Sequence, residues 1–168
     1  MSDFLDPQNW IRTIDELYIE FKNFSINNRH GCSVNGGSPG TLLQYFGKPD
    51  YSDREHLCYF NLGLEFFAYT TVIPYIFIHV RSHNCSYFQS LPYQFKAFPG
   101  EFLYDGKLID RSLLQNCDAL IESFNDSRFK LYEKTKSQTA YIEEVNSKRE
   151  RTIVFSYKEY YLDLIILY

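Results

Sequence analysis

The last forty residues constrain the fold most. Four runs rich in aromatic and β-branched residues, Arg128–Lys134, Thr139–Val145, Thr152–Tyr157 and Tyr161–Leu167, follow one another with only short polar linkers between them. Linkers of that length leave no room for a crossover, so the runs read as an antiparallel meander. Three further strand candidates lie upstream, at Leu57–Phe60, Leu64–Tyr69 and Tyr75–Val80. The stretch from Leu62 to Val80 carries one charge, Glu65, but Gly63, Thr70, Thr71 and Pro74 interrupt it. It therefore reads as a buried hairpin and not as about 20 residues of membrane-spanning helix.

Three helices are expected among these strands. The first starts at Asp6-Pro7 and carries Trp10, Ile11, Ile14, Leu17, Tyr18, Phe21 and Phe24 on one face at helical spacing. The second has Ser38 as its cap, Pro39 at its first position and Gly47 as its stop. The third runs from about Asp110 to Phe124 and buries Leu113, Leu114, Cys117, Leu120, Ile121 and Phe124. One more strand is expected around Tyr93–Phe98, inside an aromatic segment that is otherwise hard to place. The fold class is α+β, with a mainly antiparallel sheet of about six or seven strands and three helices, in a single domain spanning residues 1–168.

The halves 1–106 and 107–168 look alike. Leu42-Leu43-Gln44 is matched by Leu113-Leu114-Gln115, Phe67-Ala68-Tyr69 by Phe155-Ser156-Tyr157, and Ile76-Phe77-Ile78 by Leu164-Ile165-Ile166. The offset is 71 residues at the helix and 88 at the strands. A duplicated helix-plus-sheet unit and chance convergence both account for so few identities.

Charge and cysteine usage narrow the function. The net charge of −4 disfavours a direct nucleic-acid ligand and suits a basic protein partner. Cys32, Cys58, Cys85 and Cys117 are widely spaced and form no CxxC pair. With no basic or strongly apolar N-terminal segment in Met1–Asp6, reduced thiols in a cytoplasmic protein are the simplest reading, and two disulfides in a secreted protein are the alternative.

The catalytic patterns fail on chemistry. Gly36-Gly37-Ser38-Pro39-Gly40 matches G-x-S-x-G, but the residue after the serine must lend its N–H to an oxyanion hole, and proline has none. His79, His83 and Cys85 have zinc-ligand types without a fourth ligand at motif distance. Asp50, Asp53, Glu55 and His56 gather near Cys58, which leaves open either a thiol enzyme or a solvated acidic turn. No cofactor-binding motif is present, and no cofactor is expected.

Two surfaces are candidates for binding a partner. Asp118, Glu122 and Asp126 form an acidic stripe at i, i+4 and i+8, opposite the buried face of the third helix. The aromatic segment that includes Tyr87, Phe88, Tyr93 and Tyr104 suits an interface core with a polar rim. The acidic turn of Asp50, Asp53 and Glu55 adds to the same charge.

The stretch Leu42-Leu43-Gln44-Tyr45-Phe46-Gly47-Lys48-Pro49-Asp50, with Leu64-Glu65-Phe66-Phe67 and Ile76-Phe77-Ile78-His79-Val80 after it, resembles a group of small bacterial proteins. In that group a helix ends in Leu-Gly-x-Pro-Asp, and a Gly-Leu/Ile-Glu-Phe strand and an Ile-His strand follow. Several are immunity proteins of polymorphic or contact-dependent growth inhibition toxin systems. Phe46 stands where the group usually has leucine, and Tyr51 breaks its acidic run. The resemblance implies a protein that neutralises a cognate toxin, plausibly a basic nuclease domain, by stoichiometric occlusion, with no membrane or direct nucleic-acid partner. The rival readings are a small cytosolic enzyme using Asp50, His56 and Cys58, and a non-catalytic subunit of a larger assembly.

Overall fold

The computed structural model describes residues 16–28, 33–34, 38–68, 75–84, 94–124, 129–134, 139–144, 152–158 and 161–167. Among them are two α-helices, α1 (Pro39–Phe46) and α2 (Cys117–Phe124). The strands of the first half are β1 (Leu17–Glu20), β2 (Ser25–Asn28), β3 (Ser33–Val34), β4 (Tyr51–Ser52), β5 (His56–Tyr59), β6 (Leu64–Phe67), β7 (Tyr75–His79), β8 (His83–Asn84), β9 (Gln94–Phe95) and β10 (Glu101–Tyr104). Those of the second half are β11 (Lys107–Leu108), β12 (Phe129–Lys134), β13 (Thr139–Glu144), β14 (Thr152–Lys158) and β15 (Tyr161–Leu167). The chain is α+β, and its sheets are mostly antiparallel. The strands are more numerous than expected, and they divide between sheets.

Eight strands form one sheet in the order β12-β13-β14-β15-β7-β6-β5-β4. The predicted C-terminal meander is its first half, and β4 to β7 form a second meander that meets the first at the antiparallel β7–β15 pair. Five strands form the other large sheet, in the order β11-β10-β1-β2-β3. Its β1–β10 pair is the one parallel contact among the described strands.

Alternation decides which face of the eight-stranded sheet is buried. Tyr59, Leu64, Phe66, Ile76, Ile78, Ile153, Phe155, Ile165 and Leu167 point into one hydrophobic core. Leu17, Ile19, Ile26 and Phe102 enter the same core from the five-stranded sheet, and Leu42 and Leu120 enter it from the two helices. Phe21 sits at the junction, with ring centroids 5.8 Å from Phe102, 5.9 Å from Phe124 and 5.9 Å from Phe155. Burying a side chain of this size stabilises the fold by about 1.5–3 kcal/mol.

The first predicted helix is corrected in its described part. Leu17–Glu20 is a strand, Phe21–Asn23 is one 3-10 turn, and Phe24 is left-handed at φ 54 and ψ 46. Leu17, Tyr18, Phe21 and Phe24 satisfy helical spacing, but Leu17 and Ile19 satisfy alternation equally well. A helix would have turned Ile19 away from the apolar stripe, whereas the strand buries it completely. The strand also gains ladder partners on both sides, β2 and β10. Residues 1–15, with Trp10, Ile11 and Ile14, lie outside the described residues.

The second helix has the predicted cap. Ser38 Oγ accepts the Thr41 N–H at 3.4 Å, Pro39 opens the helix and Gly47 ends it. The third is shorter than expected. Leu113–Gln115 is a separate 3-10 turn, and α2 begins at Cys117 after Asn116, whose Oδ1 accepts the Ala119 N–H at 3.2 Å.

The β10–β11 hairpin was not foreseen, although Asp105-Gly106 is a strong turn signal. Both residues have positive φ, 51 and 73, as a two-residue hairpin turn of the type I′ kind requires. Buried Glu20 holds this turn. Its Oε1 accepts the Asp105 N–H at 2.9 Å and its Oε2 the Gly106 N–H at 3.0 Å. Arg111 braces the chain before the hairpin by donating to the Phe98 and Gly100 carbonyls at 2.7 and 2.6 Å, with its guanidinium over the Phe102 ring.

Candidate functional site

The acidic turn is built for structure. Asp50 Oδ2 accepts the Phe60 N–H at 2.7 Å. Asp53 Oδ1 accepts the N–H groups of Glu55 and His56, each at 2.8 Å, and lies 3.1 Å from His56 Nδ1. Partial burial pushes the Asp53 carboxyl up, but these backbone donors and the His56 ring outweigh it and hold it below the ordinary carboxylate value. Glu55 is exposed. Tyr59 donates to the Gly47 carbonyl at 2.9 Å, and burial, helped by the charge of Asp50, pushes its phenol well above the usual value.

His56 and Cys58 share the face of β5 that points away from the main core. Cys58 is 0% exposed and packs with Phe60 and Phe95. A nucleophile must meet its substrate, and here the thiol is walled in by aromatic rings. The Ser38 match to a nucleophile motif is a helix cap. Among the described residues, no group of three or more His, Cys, Asp or Glu side chains is arranged to hold a metal ion. Cys85 lies outside the described residues, so the His79/His83/Cys85 set is not described as a whole.

Sequence reasoning missed a buried polar line on this face. Glu65, directly across from Cys58 in the β5–β6 ladder, places Oε2 3.4 Å from His79 Nε2 and Oε1 3.8 Å from His56 Nε2. His79 is buried and stacks on Phe95, with centroids 3.9 Å apart and planes 18° apart. Glu65 had stood out as the lone charge in an apolar stretch, and its partners on other strands were the part that spacing did not show. The gap of 3.8 Å is longer than a good hydrogen bond and that of 3.4 Å is at its limit, so the line sets two imidazole rings beside a buried carboxylate without forming a proton path.

The two binding candidates converge elsewhere. Asp118 and Glu122 are exposed on α2. Asp118 also sits in the helix's first turn, where a negative charge complements the helix dipole. At the last residue of α2, the Phe124 ring stacks on Tyr104 with centroids 4.2 Å apart and planes 11° apart. The described part of the aromatic segment is core more than surface: Phe95, Phe98 and Phe102 are fully buried, and Tyr104 is 8% exposed. Tyr104 and Phe124 line a groove of about 380 Å³ between the β10–β11 hairpin and α2, with Ile109, Leu113 and Ser123. Leu108, also lining it, is 66% exposed. Tyr87, Phe88, Tyr93 and Asp126 lie outside the described residues.

No helix among the described residues is long and apolar enough to cross a membrane. Comparison with protein-family models, with curated proteins and with solved structures finds no match for this chain.

Proposed function

We propose that this chain is a protein-binding immunity protein, which neutralises a cognate toxin in the cytoplasm by stoichiometric occlusion. The observations behind the reading are two: Asp118 and Glu122 are exposed on α2, and a groove between that helix and the β10–β11 hairpin has the exposed Leu108 in its wall. An apolar anchor point within a charged rim is how protein interfaces divide their labour. The net charge of −4 suits a basic partner such as a nuclease domain. Opposite charge speeds encounter, and a buried anchor slows release. The resemblance to immunity proteins adds weight, because its residues, 42 to 80, coincide with one structural unit from α1 to β7.

The enzyme alternative has less support. Asp50 and Asp53 are engaged with backbone N–H groups, and Cys58 is enclosed.

The experiment is co-expression with a candidate toxin domain taken from a neighbouring gene, followed by purification. Protection of the host from that domain and a one-to-one complex on size exclusion are expected. Absence of both protection and a complex would refute the reading.

A further inference from the structure

No further inference is drawn: the strongest candidate, the groove between the β10–β11 hairpin and α2, is lined by apolar side chains, the lysine Lys107 and the carboxylate of Asp105, which Lys22 already matches, and nothing in the structure shows what covers it.

Discussion

The two meanders of the eight-stranded sheet invite direct comparison. One runs α1, β4, β5, β6, β7, and the other runs α2, β12, β13, β14, β15. The sheet order mirrors them about the β7–β15 pair. Each helix has eight residues, ends in phenylalanine (Phe46 and Phe124) and buries the leucine four positions earlier, Leu42 or Leu120. The inward chemistry is shared, and the outward chemistry is not. Helix α1 shows solvent an uncharged face with Leu43 and Gln44, while α2 shows Asp118 and Glu122. The first meander carries the Glu65–His79 pair on its outer side. A common core thus supports two helices with different exposed faces.

The comparison also corrects the repeat seen in the sequence. Leu113-Leu114-Gln115 lies in the 3-10 turn before α2, so it does not correspond to Leu42-Leu43-Gln44 of α1. The strand identities are one residue out of step. Phe155 is fully buried in the core, while Phe67 is on the outer face, in ring contact with His56. The residue that matches Phe155 in facing is Phe66, as Ile76 matches Ile165 and Ile78 matches Leu167. Shifting a strand by one residue exchanges its faces, so matched letters and matched environments part here.

If the halves are equivalent in packing, removing the same buried leucine should cost the same in each. Leu42→Ala and Leu120→Ala, both at 0% exposure, are expected to lose about 2–5 kcal/mol each in urea unfolding. Values within about 1 kcal/mol of each other would fit that equivalence. A much smaller loss at Leu42 would mean that the first half relaxes around the cavity and is the looser unit.

Two glycine turns set the first meander against the five-stranded sheet. Gly63 turns between β5 and β6 at φ 61, and a Cβ there would come within 2.6 Å of Phe98 N and strike the Lys96 carbonyl oxygen. Gly106 has φ 73 but open space around its Cβ position. Gly63→Ala is expected to cost about 2–4 kcal/mol and Gly106→Ala about 1 kcal/mol, since only the first adds a backbone clash to the left-handed strain. Equal melting temperatures for the two variants would contradict this.

How much was legible follows from whether the cause was local. The C-terminal meander and the α1 boundaries could be read because alternation, Ser38, Pro39 and Gly47 act within a few residues. Leu17–Glu20 could not, because its ladder partners are β2 and the distant β10. The Asp105-Gly106 turn was open to reading and was overlooked. The groove brings together Tyr104, Leu113 and Phe124, and no spacing rule links their positions across a hairpin and a helix. Asp118 and Glu122 were legible as a pair because i, i+4 spacing on a helix is local.

Glu20 tests a tie at the β10–β11 hairpin of the five-stranded sheet. Its carboxylate accepts three backbone N–H groups, those of Lys22, Asp105 and Gly106. Glu20→Gln keeps the shape, removes the charge and puts an N–H₂ donor where an acceptor stood. A loss of about 1–2 kcal/mol is expected. Faster hydrogen exchange should appear at Asp105 and Gly106, and none in the β5–β6 loop.

The smallest effect concerns pH and the first meander. The Asp53 carboxyl is held below its ordinary value of 3.8 by bonds that exist only in the folded turn. A depressed carboxylate stabilises the fold above its unfolded pKa, and that contribution fades as pH falls through the lower folded value. Asp53→Asn should therefore cost little, under about 1 kcal/mol for a side chain this exposed, and the cost should be present at pH 6 and absent in strong acid. Exchange of the His56 amide, whose hydrogen bond to Asp53 weakens with the loss of the carboxylate's charge, reports the change residue by residue. Acid should loosen this amide in the wild type before amides of the β14–β15 ladder, and in Asp53→Asn, where Oδ1 is a neutral acceptor throughout, its protection should differ little between the two pH values. A wild-type His56 amide as protected at pH 2 as at pH 6 would show that the turn is held by the β4–β5 ladder and not by the charge of Asp53.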